Sequence, residues 1–316
     1  MEEFITFGSS DLDRGGAVRN KADAIAALLG SDTAGVLAVW RGKMLMKDGA
    51  LVWLRPGDAV LADAKGPPVF LGHDEAGPRF AHDVSGWEPH QDAAELDSFL
   101  DNTAQHHPDA PEGADFHELR LVMTGLTRRE GELAASARAI LQWHRSHRFC
   151  ANCGAETEAS AGGWQRNCEA CGRHHFPRTD PVVIMLITHG NSVLVGRSPG
   201  WPEGFYSLLA GFIEPGETME AAVRREVFEE AGVRVGSVSY AASQPWPYPS
   251  SLMLGCRGEA ISTEINIDPV EIADARWISR EDMALVFAGE HPELSEPRRG
   301  AIAHSLLEAW LADRLP

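Results

Sequence analysis

The sequence predicts an α+β chain made of several units, and three observations lead there. It has 316 residues with 44% hydrophobic content, enough for two or three separate cores. Short runs of strand character lie on both sides of a segment punctuated by paired cysteines. One long helix-favouring run, from Thr218 to Gly232, sits among the later strands.

In chain order, residues 25–29 read as a short helix and residues 36–40, 43–46 and 51–54 as strands, with Asp48-Gly49 a hairpin turn. Residues 69–71 and 119–123 are further strand candidates. Between them Pro67, Pro68, Pro78, Pro108 and Pro111 mark loop-rich chain. Thr127 with Glu130 makes a capping box, which starts a helix through Leu133, Ala137, Leu141 and His144 and delivers the chain to Cys150. Past the cysteines, residues 182–188 and 193–195 are strands turned at Gly190-Asn191, and residues 276–278 are another. The last helix carries a buried stripe of Ile302, Leu306 and Trp310 with Leu307 and Leu311.

Cys150, Cys153, Cys168 and Cys171 follow C-x2-C-x14-C-x2-C, with a glycine after each pair, the spacing of two zinc knuckles. Four thiolates close a tetrahedral shell and leave no place for water, so one structural Zn2+ is expected. Two disulfides or a redox dithiol are the rival readings. Cys256 reads as a small core residue, and His144, His147, His174 and His175 as solvated or substrate-facing.

The most specific segment is residues 211–233, in which Gly211, Glu217, Arg225, Glu226, Glu229, Glu230 and Gly232 fit G-x5-E-x7-R-E-U-x-E-E-x-G-U, with U aliphatic. At a chance frequency of about 7% each, seven such positions coincide roughly once in 10^8 starts. Thr218 caps the helix, Glu220 suits the positive end of its dipole and Gly232 is a left-handed stop. Glu226, Glu229 and Glu230 then stand at i, i+3 and i+4 on one face, where three like charges repel. A hard divalent cation, Mg2+ or Mn2+, resolves that repulsion. The bland alternative, a solvated acidic face laced with Arg224 and Arg225, requires neither the glycines nor Glu217 at fixed offsets.

Beyond that segment, Gln244, Pro245, Trp246, Pro247, Tyr248, Pro249, Ser250 and Ser251 form a stiff extended array, because prolines at alternate positions forbid helix and disfavour a central strand. Such an array can wall a nucleotide pocket. Composition alone equally allows a surface loop or a polyproline ligand for a partner domain.

Residues 211–233 resemble a Nudix box, and the array, preceded by Ser243, resembles the S-Q-P-W-P-F-P-x-S string of the NADH pyrophosphatase branch, with Tyr248 in place of Phe. The resemblance implies an α/β/α sandwich with the box as loop-helix-loop, preceded by a zinc ribbon and an N-terminal mixed α/β domain. By position it implies that Glu226, Glu229, Glu230, Glu271 and the Ala210 carbonyl hold catalytic Mg2+ or Mn2+, while Glu217 and Arg225 arrange the loop and helix. It implies substrate contacts for Phe176 and Phe212 on either side of a base, for the array from Gln244 to Ser251, for the Ala303 backbone and for Arg120. Where some relatives carry an acidic substrate contact before Trp164, this chain has Gly162 and Gly163. The implied reaction splits NAD(H) into a nicotinamide mononucleotide and AMP, and in this branch it extends to removing NAD caps from RNA. In relatives the ribbon aromatic can come from a partner subunit, so a homodimer is implied.

The expected division is an N-terminal domain at 1–126, a connecting helix at 127–147, the ribbon at 148–176 and the hydrolase domain at 177–316. No run approaches ~18 apolar residues and no signal peptide opens the chain, so no membrane partner and a cytoplasmic setting are expected. A net charge of −18 argues against broad nucleic-acid binding, yet Arg145, Arg148, Arg166, Arg173 and Arg178 cluster around the ribbon. Two rival functions are a Nudix pyrophosphatase for ADP-ribose or similar compounds, which would not need the array, and a zinc-ribbon nucleotide sensor without catalysis, which intact Glu226, Glu229 and Glu230 oppose.

Overall fold

The computed structural model describes residues 5–8, 10–89 and 103–315. They fall into two compact units: residues 10–178 with 247–250, and residues 5–8, 179–246 and 251–315.

The first unit opens with α1 (Ala22–Leu29) and a seven-stranded sheet of β1 (Gly35–Trp40), β2 (Lys43–Lys47), β3 (Ala50–Leu51), β4 (Trp53–Leu54), β5 (Val69–Asp74), β6 (Gly77–Asp83) and β7 (Asp115–Glu118). The order is β3-β2-β1-β6-β5, with β4 also on β1 and β7 on β2; β1 and β6 run parallel. Asp48 and Gly49 both take positive φ, as a tight hairpin between twisted strands requires. The single strand expected at 51–54 is broken into β3 and β4 at Val52. Pro78 lies inside β6 rather than in a loop, and residues 90–102 of the expected loop-rich stretch lie outside the described residues.

Residues 119–123 are not a strand. They form α2 (Leu119–Val122), started by the Glu118 carboxylate accepting from the Arg120 amide. The alternation of Leu119, Leu121 and Met123 imitates a strand, but Leu121 points to solvent at 46% exposure. Helix α3 (Arg128–Ser146) begins with the expected reciprocal capping box of Thr127 and Glu130. The ribbon hairpins follow as β8 (Glu158–Ser160), β9 (Gln165–Asn167) and β10 (His174–His175).

The second unit is a sheet of β11 (Asp180–His189), β12 (Ser192–Arg197), β13 (Leu209–Phe212), β14 (Val235–Trp246), β15 (Ser251–Ala260) and β16 (Asp274–Ser279), with α4 (Met219–Ala231), α5 (Arg280–Ala288) and α6 (Ile302–Leu311). Its order is β14-β15-β11-β12-β16, with β13 on β11. Strand β11 is apolar from Val182 to Ile187 because both its faces are covered there. Val183, Met185 and Ile187 pack with Ala222, Val223 and Val227 of α4, while Ile184 and Leu186 pack with Met283 and Val286 of α5 and with Ile302 and Leu306 of α6. The result is an α/β/α sandwich. Ile5, at the opposite end of the sequence, joins the second of these cores.

Candidate active site

Helix α4 starts and stops where its residues dictate: the Thr218 hydroxyl accepts from the Ala221 amide, and Gly232 ends it at φ 70°. On it, Arg225 spends all five guanidinium hydrogens. Nε and Nη2 grip the two oxygens of Glu217 at 2.9 and 2.8 Å, Nη2 also reaches the Phe212 carbonyl at 2.8 Å, and Nη1 donates to Glu226 and Glu229 at 2.8 and 3.0 Å. Glu217 in turn accepts from the Glu214 amide at 3.1 Å. One cation thereby ties the loop after β13 to the acidic face of α4.

Gly211 is required by close approach rather than by its backbone angle. A Cβ there would lie 1.9 Å from Cδ of Glu226 and 2.1 and 2.2 Å from its oxygens. The Glu226 carboxylate therefore sits against bare backbone, and burial raises its pKa despite Arg225. Glu230 is 9% exposed, and its Oε2 has no hydrogen-bond partner among the described residues. Burial, then the charges of Glu226, Glu271 and Glu229, push this carboxyl up to about 8. An orphaned buried carboxylate oxygen among other carboxylates fits a hard divalent cation. Ala210 lies beside Gly211 in β13, opposite Ile184, and Glu271 is exposed.

The proline array is divided. Ser243 to Trp246 finish β14, an edge strand, where the missing N–H of Pro245 is tolerated. Gln244 is fully buried, its amide nitrogen donating to the carbonyls of Thr6 at 3.0 Å and Gly300 at 2.8 Å while its oxygen accepts from the Ile302 amide at 2.8 Å. Ala301, the residue before α6, offers no side-chain cap, so Gln244 supplies one from a distant strand. Ala303, next in α6, is 4% exposed. Pro245 is exposed, the Trp246 ring is tilted 54° to that of Phe7 with centroids 6.4 Å apart, and Ser251 opens β15.

Pro247, Tyr248, Pro249 and Ser250 belong to the first unit. There the Tyr248 ring lies under two guanidinium groups, Arg120 at 4.0 Å and Arg138 at 4.2 Å, and Arg138 also donates to the carbonyls of Pro247 and Gly42. Burial, and then the Glu118 charge, raise the phenol's pKa. Arg120 thus braces the array. Arg138 and Glu118 escaped the sequence reading because no local spacing links them to Tyr248. Phe176 and Phe212 are 65% and 58% exposed, each in its own unit, and present open ring faces.

In the ribbon the cysteine sulfurs lie within 4.8 Å of one another, with Cys150–Cys171 at 3.6 Å and Cys153–Cys168 at 3.5 Å. Tetrahedral Zn–S bonds of ~2.3 Å place sulfurs about 3.8 Å apart, so the four fit zinc, and they form no disulfide. His175 Nε2 reaches Cys150 Sγ at 3.3 Å. His144 corrects the expectation of a solvated or substrate-facing ring. Its Nε2 meets the Gly163 carbonyl at 2.7 Å, Arg166 donates to Nδ1 at 3.0 Å, and burial lowers its pKa to about 4. Gly162 and Gly163 have a packing reason as well. Both take positive φ, and a Cβ on Gly163 would meet Val69 at 2.8 Å, leaving no room for an acidic side chain.

Three family models cover successive stretches of the chain: the NADH pyrophosphatase-like rudimentary NUDIX domain at residues 33–143, the NADH pyrophosphatase zinc ribbon domain at 145–176 and the NUDIX domain at 177–299. The chain is 38% identical over 296 residues to the NAD-capped RNA hydrolase NudC of Stutzerimonas stutzeri, covering 92% of this chain and 95% of that one. With NudC of Mycobacterium bovis identity is 36% over 309 residues, covering 94% and 92%. With the human NAD-capped RNA hydrolase NUDT12 it is 49% over 197 residues, but these span 59% of this chain and 43% of the human protein, less than half of its length.

Proposed function

Because the chain belongs to the NADH pyrophosphatase branch of the Nudix family, zinc ribbon included, we propose that it hydrolyses the diphosphate of NAD(H) to AMP and a nicotinamide mononucleotide, and removes NAD caps from RNA. The observation that carries the proposal is the Glu226 carboxylate seated on Gly211 beside the orphaned Glu230 oxygen. Two relatives that this chain covers almost end to end bear the name NAD-capped RNA hydrolase.

Glu226, Glu229, Glu230, Glu271 and the Ala210 carbonyl would hold Mg2+ or Mn2+, which when bound neutralises diphosphate charge and lowers the pKa of water. Water adds to one phosphorus, the P–O bond to the bridging oxygen breaks, and that oxygen leaves on the other phosphate. Arg225 and Glu217 keep the loop and α4 in register for this step. The ring faces of Phe176 and Phe212 suit stacking on a base. Gln244 acts indirectly, from within the core, and by family position the remaining array residues and the Ala303 backbone are substrate contacts. We assign Phe176 to the neighbouring site of a cytoplasmic homodimer and keep the division 1–126, 127–147, 148–176 and 177–316.

Incubating the protein with NADH, NAD+, ADP-ribose or NAD-capped RNA, plus Mg2+ or Mn2+, and separating the products tests this. AMP and the reduced mononucleotide should appear from NADH, and Glu230→Gln should nearly abolish them. Absence of both products under every metal condition would overturn the proposal, and preference for ADP-ribose alone would favour the generic pyrophosphatase.

A further inference from the structure

Although the chain carries a net charge of −18, the first unit contains a cleft of about 790 Å3 lined by Lys65, Arg145, Arg148 and Arg166. Three walls build it: the end of α3, the ribbon residues 157–159 with Arg166, and residues 65–67, 83 and 85 of the sheet domain. Leu141, His144 and Arg145 stand at i, i+3 and i+4 on one face of the last turns of α3, and Arg148 follows just past the end of that helix. Asp83 and Glu158 also line the cleft, and Glu156 pairs with Arg148 at 2.7 Å. Asp83 is occupied by the Ser85 amide at 2.9 Å. Lys65 and Arg145 are exposed and carry no ion pair among the described residues. Arg166 is 8% exposed and fixed by Thr157 and His144, which gives the cleft a rigid positive floor.

Two exposed cations without acidic partners beside a buried one describe a surface for anions. The cavity lining holds no Phe, Tyr or Trp that would grip a single base, which disfavours a free mononucleotide. Next in sequence to Arg148, however, Phe149 is 59% exposed, with that guanidinium 5.9 Å from its ring centroid. A track of cations with an open aromatic ring alongside is the combination that holds single-stranded nucleic acid without reading its sequence.

We propose that this cleft binds the phosphodiester backbone of a single-stranded RNA, the body of the capped transcript. The proposal rests on the NAD-cap reading above and adds a second contact zone, in the ribbon-bearing unit. It accounts for an arginine-rich ribbon in an acidic chain, and it makes capped RNA a better ligand than free NAD at low salt.

The test is the double variant Lys65→Glu/Arg145→Glu, checked for unchanged melting and zinc content. Its kcat/KM for an NAD-capped 20-nucleotide RNA should fall at least tenfold, while its NADH hydrolysis stays within about twofold of wild type. Wild-type turnover of the RNA should fall with added salt more steeply than the variant's, since each lost phosphate contact flattens the log-log slope by ~0.7. Equal turnover of capped RNA by both proteins would overturn the proposal, and so would a parallel loss on NADH. A separate arm measures anisotropy of an uncapped, labelled 20-mer, with AMP as competitor. Wild type should bind it and the variant should not, whatever the chain hydrolyses. Failure of wild type to bind sinks the cleft assignment alone, failure of NADH hydrolysis sinks the catalytic reading alone, and displacement by micromolar AMP would make the cleft a mononucleotide site instead.

Discussion

Gly211 shows how much one hydrogen atom decides. Alanine there needs space already filled by the Glu226 carboxylate, 1.9 Å from the new methyl, so the carboxylate must move. Displacements of about 1 Å at reacting groups cost on the order of 10^2 in rate. Gly211→Ala should therefore lose about a hundredfold in kcat for NADH with little change in melting, whereas Gly16→Ala, with nothing within 4 Å, should be silent. Normal turnover by Gly211→Ala would show that the carboxylate position is unimportant. His144 governs a different property. Arg166 donates to Nδ1, so the ring is neutral, and a folded-state pKa of about 4 lies below the ordinary 6.5. Between those values the unfolded chain binds the extra proton, so the contribution is intact above pH 6.5 and is lost as pH falls toward 4. The slope is at most ~1.4 kcal/mol per pH unit and the total on the order of 3 kcal/mol. Urea unfolding of wild type and His144→Gln across this window should show the steeper acid loss in wild type. Parallel curves would contradict the assignment.

Among elements, α4 was legible because every determinant is local: Thr218 caps, Gly232 stops, and the acids fall on one face. The same holds for the Thr127–Glu130 box of α3. α2 was misread because three alternating apolar residues imitate a strand, while its start depends on Glu118 turning back onto the Arg120 amide. Helix α6 makes the opposite point. Its first amide is capped by Gln244, 58 residues away in sequence, which no pattern of neighbours announces. Gln244→Ala should strand two carbonyls and one amide in the core and cost on the order of 3 kcal/mol. Chemical denaturation should show this, accompanied by weaker turnover, because the array loses its anchor. A stability loss under about 0.5 kcal/mol would mean that water replaces the side chain.

For the whole molecule, the two units meet different physical demands. The hydrolase unit buries both faces of its sheet, whereas the ribbon has few apolar residues and depends on its four sulfurs for closure. A strong chelator should release about one zinc per chain and make residues 148–176 sensitive to protease, while Cys168→Ser should purify with almost none. A metal-free protein of equal resistance would exclude zinc from the fold. No described helix is long and apolar enough to cross a membrane.

The sequence by itself determined the chemistry-bearing segments, namely the acidic helix with its glycines, the four-cysteine spacing and the proline array. Each is written within one short stretch of chain, where local spacing constrains the backbone. Only the tertiary structure decided which side chains support them. Arg138 and Arg120 over Tyr248, Gln244 on α6, His144 on Arg166 and the basic cleft all join residues distant along the chain. Pairings of that kind depend on how sheets and helices close around their cores, and local spacing carries no record of it.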